Sequence, residues 1–134
     1  LFRWLGLSAS DYASVQVPFS DLGSIDAWAL DAAKAMYALG IMQGTGHTDG
    51  TVTFDAKSTI TRAQAITMLG RLQERGYATT DISTFPDSGS VPEWAGSYME
   101  TMYAQGILSG SDARLNPNGP MTRGQACKIL YFMG

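Results

Sequence analysis

Apolar residues recur at helical spacing along most of this chain. From Ser24 or Asp26 to Leu39, the side chains of Trp28, Ala32, Met36 and Leu39 share one face, and Trp94, Tyr98 and Met102 repeat that stripe further on. A second kind of stripe lies in Thr61 to Gln73, where Ala65, Leu69 and Leu72 align, and it returns after Thr122 as Ala126, Leu130 and Met133. The pattern predicts a mainly α fold with two helices of each kind. The tryptophan stripes are expected to face a core, and the helices after Thr61 and Thr122 to pack together.

Local signals fix where these helices begin and end. Thr61-Arg62-Ala63-Gln64 and Thr122-Arg123-Gly124-Gln125 each spell a capping box, in which the threonine hydroxyl accepts a free backbone N–H and the glutamine reaches back to the cap. Gly40 and Gly106, each followed by isoleucine, fit left-handed C-terminal caps. Between Gly40 and Thr59 lies a loop whose Asp49-Gly50 predicts a short turn or minimal hairpin.

These signals occur twice in one order. A shift of 66 positions superimposes Phe19 on Phe85, Asp21 on Asp87, Trp28 on Trp94, Met36-Tyr37-Ala38 on Met102-Tyr103-Ala104, and Gly44 on Gly110. Beyond Gly44 the shift falls to 61, so Phe54 meets Leu115 and Arg62 meets Arg123; the difference is lost from one loop, where length changes are tolerated. Leu1, Phe2 and Leu5 fall where Met68, Leu69 and Leu72 stand, as the tail of a further repeat. The expected organisation is therefore a tail and linker over 1–18, a repeat over 19–79 and a repeat over 80–134, together one compact domain. A preceding segment is expected, because the chain opens without methionine inside a helical pattern.

Arg62 and Arg123 change the picture from architecture to chemistry. A helix N-terminus carries partial positive charge and favours acids in its first turn, yet both helices open on a cation, at a cost of about 0.3–1 kcal/mol each. An anion held between the guanidinium and the free N–H groups would reverse that sign. A solvated arginine, or a pair with a neighbour such as Asp55, is the plain alternative for one copy; the repetition favours an anion site. Asp21 and Asp87 stand open between shaping their loops as Asx-turns and touching a ligand.

Composition removes several function classes. A net charge of −3 over 134 residues leaves no basic face for nucleic acid. No run approaches a membrane span, and the Leu1 to Leu7 opening lacks a signal peptide's basic region and cleavage site. The one cysteine, Cys127, is expected to be a small buried hydrophobe, and the one histidine, His47, a solvent-exposed loop residue. The Asp49 to Asp55 stretch lacks the alternating acids and terminal glutamate of a calcium loop. No cofactor is expected.

In order, the chain reads Phe19-x-Asp21, Trp28, Gly40-Ile41, Gly44, Phe54 and Ile60-Thr61-Arg62-Ala63, then Phe85-x-Asp87, Trp94, Gly106-Ile107, Gly110, Leu115-Asn116-Pro117 and Met121-Thr122-Arg123-Gly124. In this it resembles surface layer homology modules. The resemblance implies units set about a pseudo-threefold axis, Thr-Arg helices in a central bundle, and here a truncated first unit. It also implies non-covalent attachment to the bacterial cell wall through a secondary cell wall polysaccharide, often pyruvylated, outside the cell. Further surface-layer subunits or a covalently linked cargo domain are implied as other partners.

On that resemblance Arg62 and Arg123 would contact the carboxylate, Trp28 and Trp94 would wall the groove, and Gly44 and Gly110 would let backbone approach sugar. Gln64 and Gln125 replace the family's usual glutamate, keeping the capping box while removing a negative charge. Gly124 replaces the usual alanine and loosens its helix start by about 0.5–1 kcal/mol. A protein-interaction or self-assembly module of the same fold is the rival reading. An enzyme is not expected: Asp21, Asp87 and Glu93 are placed by the repeat in turn and helix-start positions rather than across a cleft.

Overall fold

The computed structural model describes residues 1–72, 80–108 and 114–134. It is mainly helical: α1 is Ala27–Ala38, α2 Arg62–Gly70, α3 Glu93–Ala104 and α4 Arg123–Met133, with one two-stranded antiparallel sheet of β1, Thr45–Gly46, and β2, Val52–Thr53. Packing groups these elements into two units, Leu1–Ser58 and Thr59–Gly134. The division does not follow the sequence repeat, because α2, which closes the first repeat, packs on α3, which opens the second.

In the first unit, a helical turn at Leu1–Leu5 precedes a short 3-10 turn at Ala9–Asp11 that packs against α1. A second 3-10 turn, Leu22–Ser24, leads to Asp26 at the N-cap of α1. The buried face of α1 is Ala33, Ala35 and Met36. The expected stripe is thus rotated: Met36 is core, but Trp28 is 83% exposed and Leu39 is exposed at the C-cap. Gly40 follows at φ +71°. Its N–H donates to Tyr37 O and that of Ile41 to Met36 O, both at 2.9 Å, and Ile41 is buried. This is the capping geometry for which glycine is needed, with the isoleucine folded back onto the helix.

The expected turn at Asp49-Gly50 forms a minimal hairpin, with Thr45 opposite Thr53 and Gly46 opposite Val52. Asp49 Oδ1 accepts from the backbone N and the hydroxyl of Thr51, and Gly50 takes φ +86°. Phe19 bridges to Val52 and packs edge-on against Tyr37 and tilted against Phe54, which ties the hairpin to the helix.

The second unit holds α2, α3 and α4. Both capping boxes form as the sequence predicts. Gly106 ends α3 as Gly40 ends α1, with Ile107 N donating to Met102 O at 3.0 Å. The core sits where α2 meets α3: Ile66, Leu69, Ala95, Met99, Met102 and Leu115 are buried. Truncating one of its large side chains to alanine costs about 2–5 kcal/mol. Gly70 lets this contact close, since a Cβ there would lie 2.5 Å from Tyr98 Cδ1.

The helices after Thr61 and Thr122 were expected to pack together. Instead α3 is the chief partner of α2, and among the described residues α4 makes no comparable helix pairing within its unit. Ile129 is its one buried residue, so Cys127, expected in the core, is exposed. Cys127 occupies the register of Ile66, which is buried on α2, the helix that α3 packs against.

Candidate functional site

The two arginines stand in the same sequence context but in different surroundings. Arg123 is exposed at the start of α4. Arg62 is 9% exposed, and the first turn of α2 is sewn to the loop after Arg114. Arg62 N donates to Gly119 O at 2.7 Å, Ala63 N to Pro117 O at 2.8 Å, and Arg62 Nε to Leu115 O at 3.1 Å. The first turn's free N–H groups are therefore already met, those of Arg62 and Ala63 by main-chain oxygens and that of Gln64 by the Thr61 hydroxyl.

Among the described residues of its unit Arg62 has no carboxylate partner. The stem of Arg62 is buried and its Nε is bonded, while the rest of the guanidinium carries a charge that no described carboxylate in its unit offsets. Beside it stands Tyr103, whose ring packs on Phe85 at 5.1 Å between centroids. Its hydroxyl is buried without a hydrogen-bond partner. Burial raises the phenol pKa; the Arg62 charge works against that rise and the Asp87 charge adds to it. Arg62, Tyr103 and Asp87 thus share one polar neighbourhood.

Asp21 and Asp87 do the same work in each unit. Asp21 accepts from Phe54 N at 2.8 Å and Asp55 N at 2.9 Å; Asp87 accepts from Leu115 N at 2.9 Å and Asn116 N at 2.7 Å. Each carboxylate spends one oxygen on each amide, and the residue carrying the second amide is left-handed, Asp55 at φ +57° and Asn116 at φ +51°. The Asx-turn considered for these residues would be local, whereas here each clamps a distant loop. Amide donors lower the Asp21 pKa; at Asp87 burial pushes upward but the Leu115 and Asn116 amides outweigh it, so that carboxyl also lies below its ordinary value.

Trp28 and Trp94 are both largely exposed on the first turns of α1 and α3, and Trp28 lines an apolar cavity of about 410 Å³ in its unit. Gly44, at φ +78°, lies where a Cβ would sit 2.6 Å from Phe19 Cε1 and 2.8 Å from Thr53 O, so internal packing alone accounts for it. Gly110 lies outside the described residues. Gln64 and Gln125 direct Oε1 to the backbone N–H of Thr61 and Thr122, at 2.8 and 3.0 Å.

His47 is exposed, with Nε2 2.7 Å from Thr53 Oγ1. That hydroxyl donates to Asp55 Oδ2, so it accepts from His47 Nε2–H, which fixes the tautomer. Tyr103 was not singled out as a site residue from sequence, although its repetition as Tyr37 was a visible signal. The carbonyls of Leu115, Pro117 and Gly119 carry no side-chain signature.

The described residues contain no helix long and apolar enough to cross a membrane. Two relatives place the chain among known proteins. A surface-layer 125 kDa protein of Lysinibacillus sphaericus is 36% identical over 118 residues, covering 83% of this chain and 9% of that protein. An amylopullulanase of Thermoanaerobacterium thermosulfurigenes is 29% identical over 135 residues, covering 98% of this chain and 7% of that protein. The chain therefore spans less than a tenth of either relative's length. No solved structure matches. The sequence model of the S-layer homology domain matches residues 18–66 and 84–127, the two stretches that hold the repeated clamp and caps and the starts of the arginine-led helices, and the chain belongs to that family.

Proposed function

We propose that this chain is a non-covalent anchoring module that holds a larger protein to the outside of a bacterial cell wall. It binds an acidic secondary cell wall polysaccharide, with the Arg62 guanidinium receiving a carboxylate such as a pyruvate ketal. One observation carries the reading: Arg62 is nearly buried and, among the described residues of its unit, lacks a counter-ion, while the Tyr103 hydroxyl nearby lacks a hydrogen-bond partner. A carboxylate would meet both through charge-assisted bonds. Nε is already fixed on Leu115 O, so the guanidinium plane is set before the ligand arrives.

The exposed Trp94 supplies an apolar wall in the same unit. Arg123, exposed, is a weaker contact in this structure, and several modest sites would sum through avidity. No bond is made or broken in this reading, and any catalysis belongs to a covalently linked cargo domain. The match to a surface-layer protein supports the location.

The test is sedimentation of the chain with purified cell wall, before and after removal of pyruvate ketals, for the native sequence and Arg62→Lys. Arg62→Lys keeps the charge but cannot reproduce the planar fork. Binding that falls about tenfold or more in that variant and after ketal removal supports the reading; undiminished binding in both refutes it.

A protein-interaction or self-assembly role is the second reading. It is favoured by Tyr131 and Phe132, which stand exposed and in edge contact on α4. Wall-independent self-association abolished by Phe132→Ser would select it.

A further inference from the structure

The loop that seats the start of α2 holds both asparagines of the chain, Asn116 and Asn118. Pro117 and Gly119 follow them, so the two side chains face different chemistry. An asparagine loses its side-chain nitrogen as ammonia when the next residue's backbone nitrogen attacks the amide carbon. Pro117 has no N–H to give up, which protects Asn116. Gly119 has one, and without a Cβ it lets its nitrogen come close.

The fold leaves that approach open. Asn118 is exposed, and its side chain makes no hydrogen bond among the described residues. The Gly119 N–H donates to Asn116 O at 3.3 Å, beyond the usual range for such a bond. Packing keeps residue 119 small, since a Cβ there would lie 2.6 Å from Asn116 Nδ2. The reactive pair thus follows from how the loop is filled. In the first unit the same positions are Lys57 and Ser58, which carry no amide side chain.

The two carbonyls that flank the pair are those that receive α2. Pro117 O accepts from Ala63 N at 2.8 Å, and Gly119 O accepts from Arg62 N at 2.7 Å. A change in chain length between these oxygens acts directly on the first turn of the helix.

We propose that Asn118 is a site of spontaneous backbone modification that loosens the start of α2. The Gly119 nitrogen gives its proton to hydroxide and attacks Asn118 Cγ. The new C–N bond closes a succinimide ring, the Cγ–Nδ2 bond breaks, and Nδ2 takes up a proton and leaves as ammonia. Water then opens the ring at either of its carbonyls. One opening gives aspartate with the chain path unchanged. The other joins Gly119 through Cβ and Cγ as isoaspartate, which adds one backbone atom between the two seating carbonyls. Aspartate only adds negative charge beside a helix start, which the helix favours. The loosening therefore belongs to isoaspartate, and it is independent of which polymer the module binds.

The test ages the native chain in mildly alkaline buffer beside a synthetic Leu115–Arg123 peptide. Trypsin cuts after Arg114 and Arg123, so the same fragment of the aged chain reports both asparagines. It is expected to gain the mass difference between an amide and an acid and to split into two species of equal mass. N-terminal sequencing should stop at position 118 in one of them. The folded chain should convert within about tenfold of the free peptide's rate, because one long hydrogen bond restrains the Gly119 nitrogen. Asn118→Gln lengthens the arm by one carbon, disfavours ring closure and should not convert.

The isoaspartate fraction should melt about 5 °C or more below the fresh chain, while Asn118→Asp and aged Asn118→Gln stay within about 2 °C of it. Protection of the folded chain by much more than about tenfold overturns the site. So does a mass gain in this fragment that persists in Asn118→Gln. An isoaspartate fraction that melts with the fresh chain overturns the loosening.

Discussion

Arg62 Nε and Leu115 O, 53 residues apart, are joined by a hydrogen bond of 3.1 Å that fixes the start of one helix to the loop of the next repeat. Arg62→Ala removes this bond and opens space in a buried corner, whereas Arg123→Ala alters an exposed side chain. Arg62→Ala is expected to lower stability by about 2–4 kcal/mol in urea titrations. Arg123→Ala should stay within about 0.5 kcal/mol of the native chain. Equal losses for the two would contradict the asymmetry.

The two clamp carboxylates give the fold an acid-sensitive pair. Both pKa values are lowered in the folded state, so their contribution is fully present above the unfolded carboxylate range and is lost as pH falls through the lowered values. Stability should be level above about pH 5 and decline below about pH 4. Asp21→Asn with Asp87→Asn should be less stable at neutral pH and flatten that decline; a double variant with the native acid profile would remove the clamps from the account.

Gly44 and Gly46 separate conformational need from loop position. Gly44→Ala meets Phe19, Thr53 and Val52 at under 3 Å from a left-handed backbone, while nothing lies within 4 Å of a Cβ at Gly46. The first should cost about 2 kcal/mol or more and the second under about 1. Thermal melts of the two variants decide it.

Tyr103→Phe deletes a buried hydroxyl that has no partner. It is expected to raise stability by about 1 kcal/mol, and under the proposed carboxylate contact it should also weaken wall binding. A variant that is both less stable and fully binding would show that the hydroxyl has neither role.

The helix ends were legible because their signals are local. Thr61 with Gln64, Thr122 with Gln125, and Gly40-Ile41 with Gly106-Ile107 each satisfy backbone groups a few residues away, so spacing alone specified them. The doubled Phe-x-Asp, tryptophan and Thr-Arg signals likewise carried the family.

Burial was less legible because it depends on which helix covers which face. Trp28 shares a stripe with Met36 but lies at the exposed start of α1, and Cys127 shares a register with Ile66 but lacks the cover that α3 gives α2. The reach of Asp21 and Asp87 across about thirty residues of chain could not be read from local turn chemistry.

The Asp21 and Asp87 clamps separate what a loop must do from how long it is. The chain between the clamp and its amide runs 33 residues in one unit and 28 in the other, yet both end on the same pair of bonds. Because closing a longer segment costs only about 0.6 kcal/mol per doubling, the hairpin tip around Asp49 is a natural insertion point for foreign peptide. A module of this kind is a ready display frame, able to carry an epitope while its fastening stays untouched.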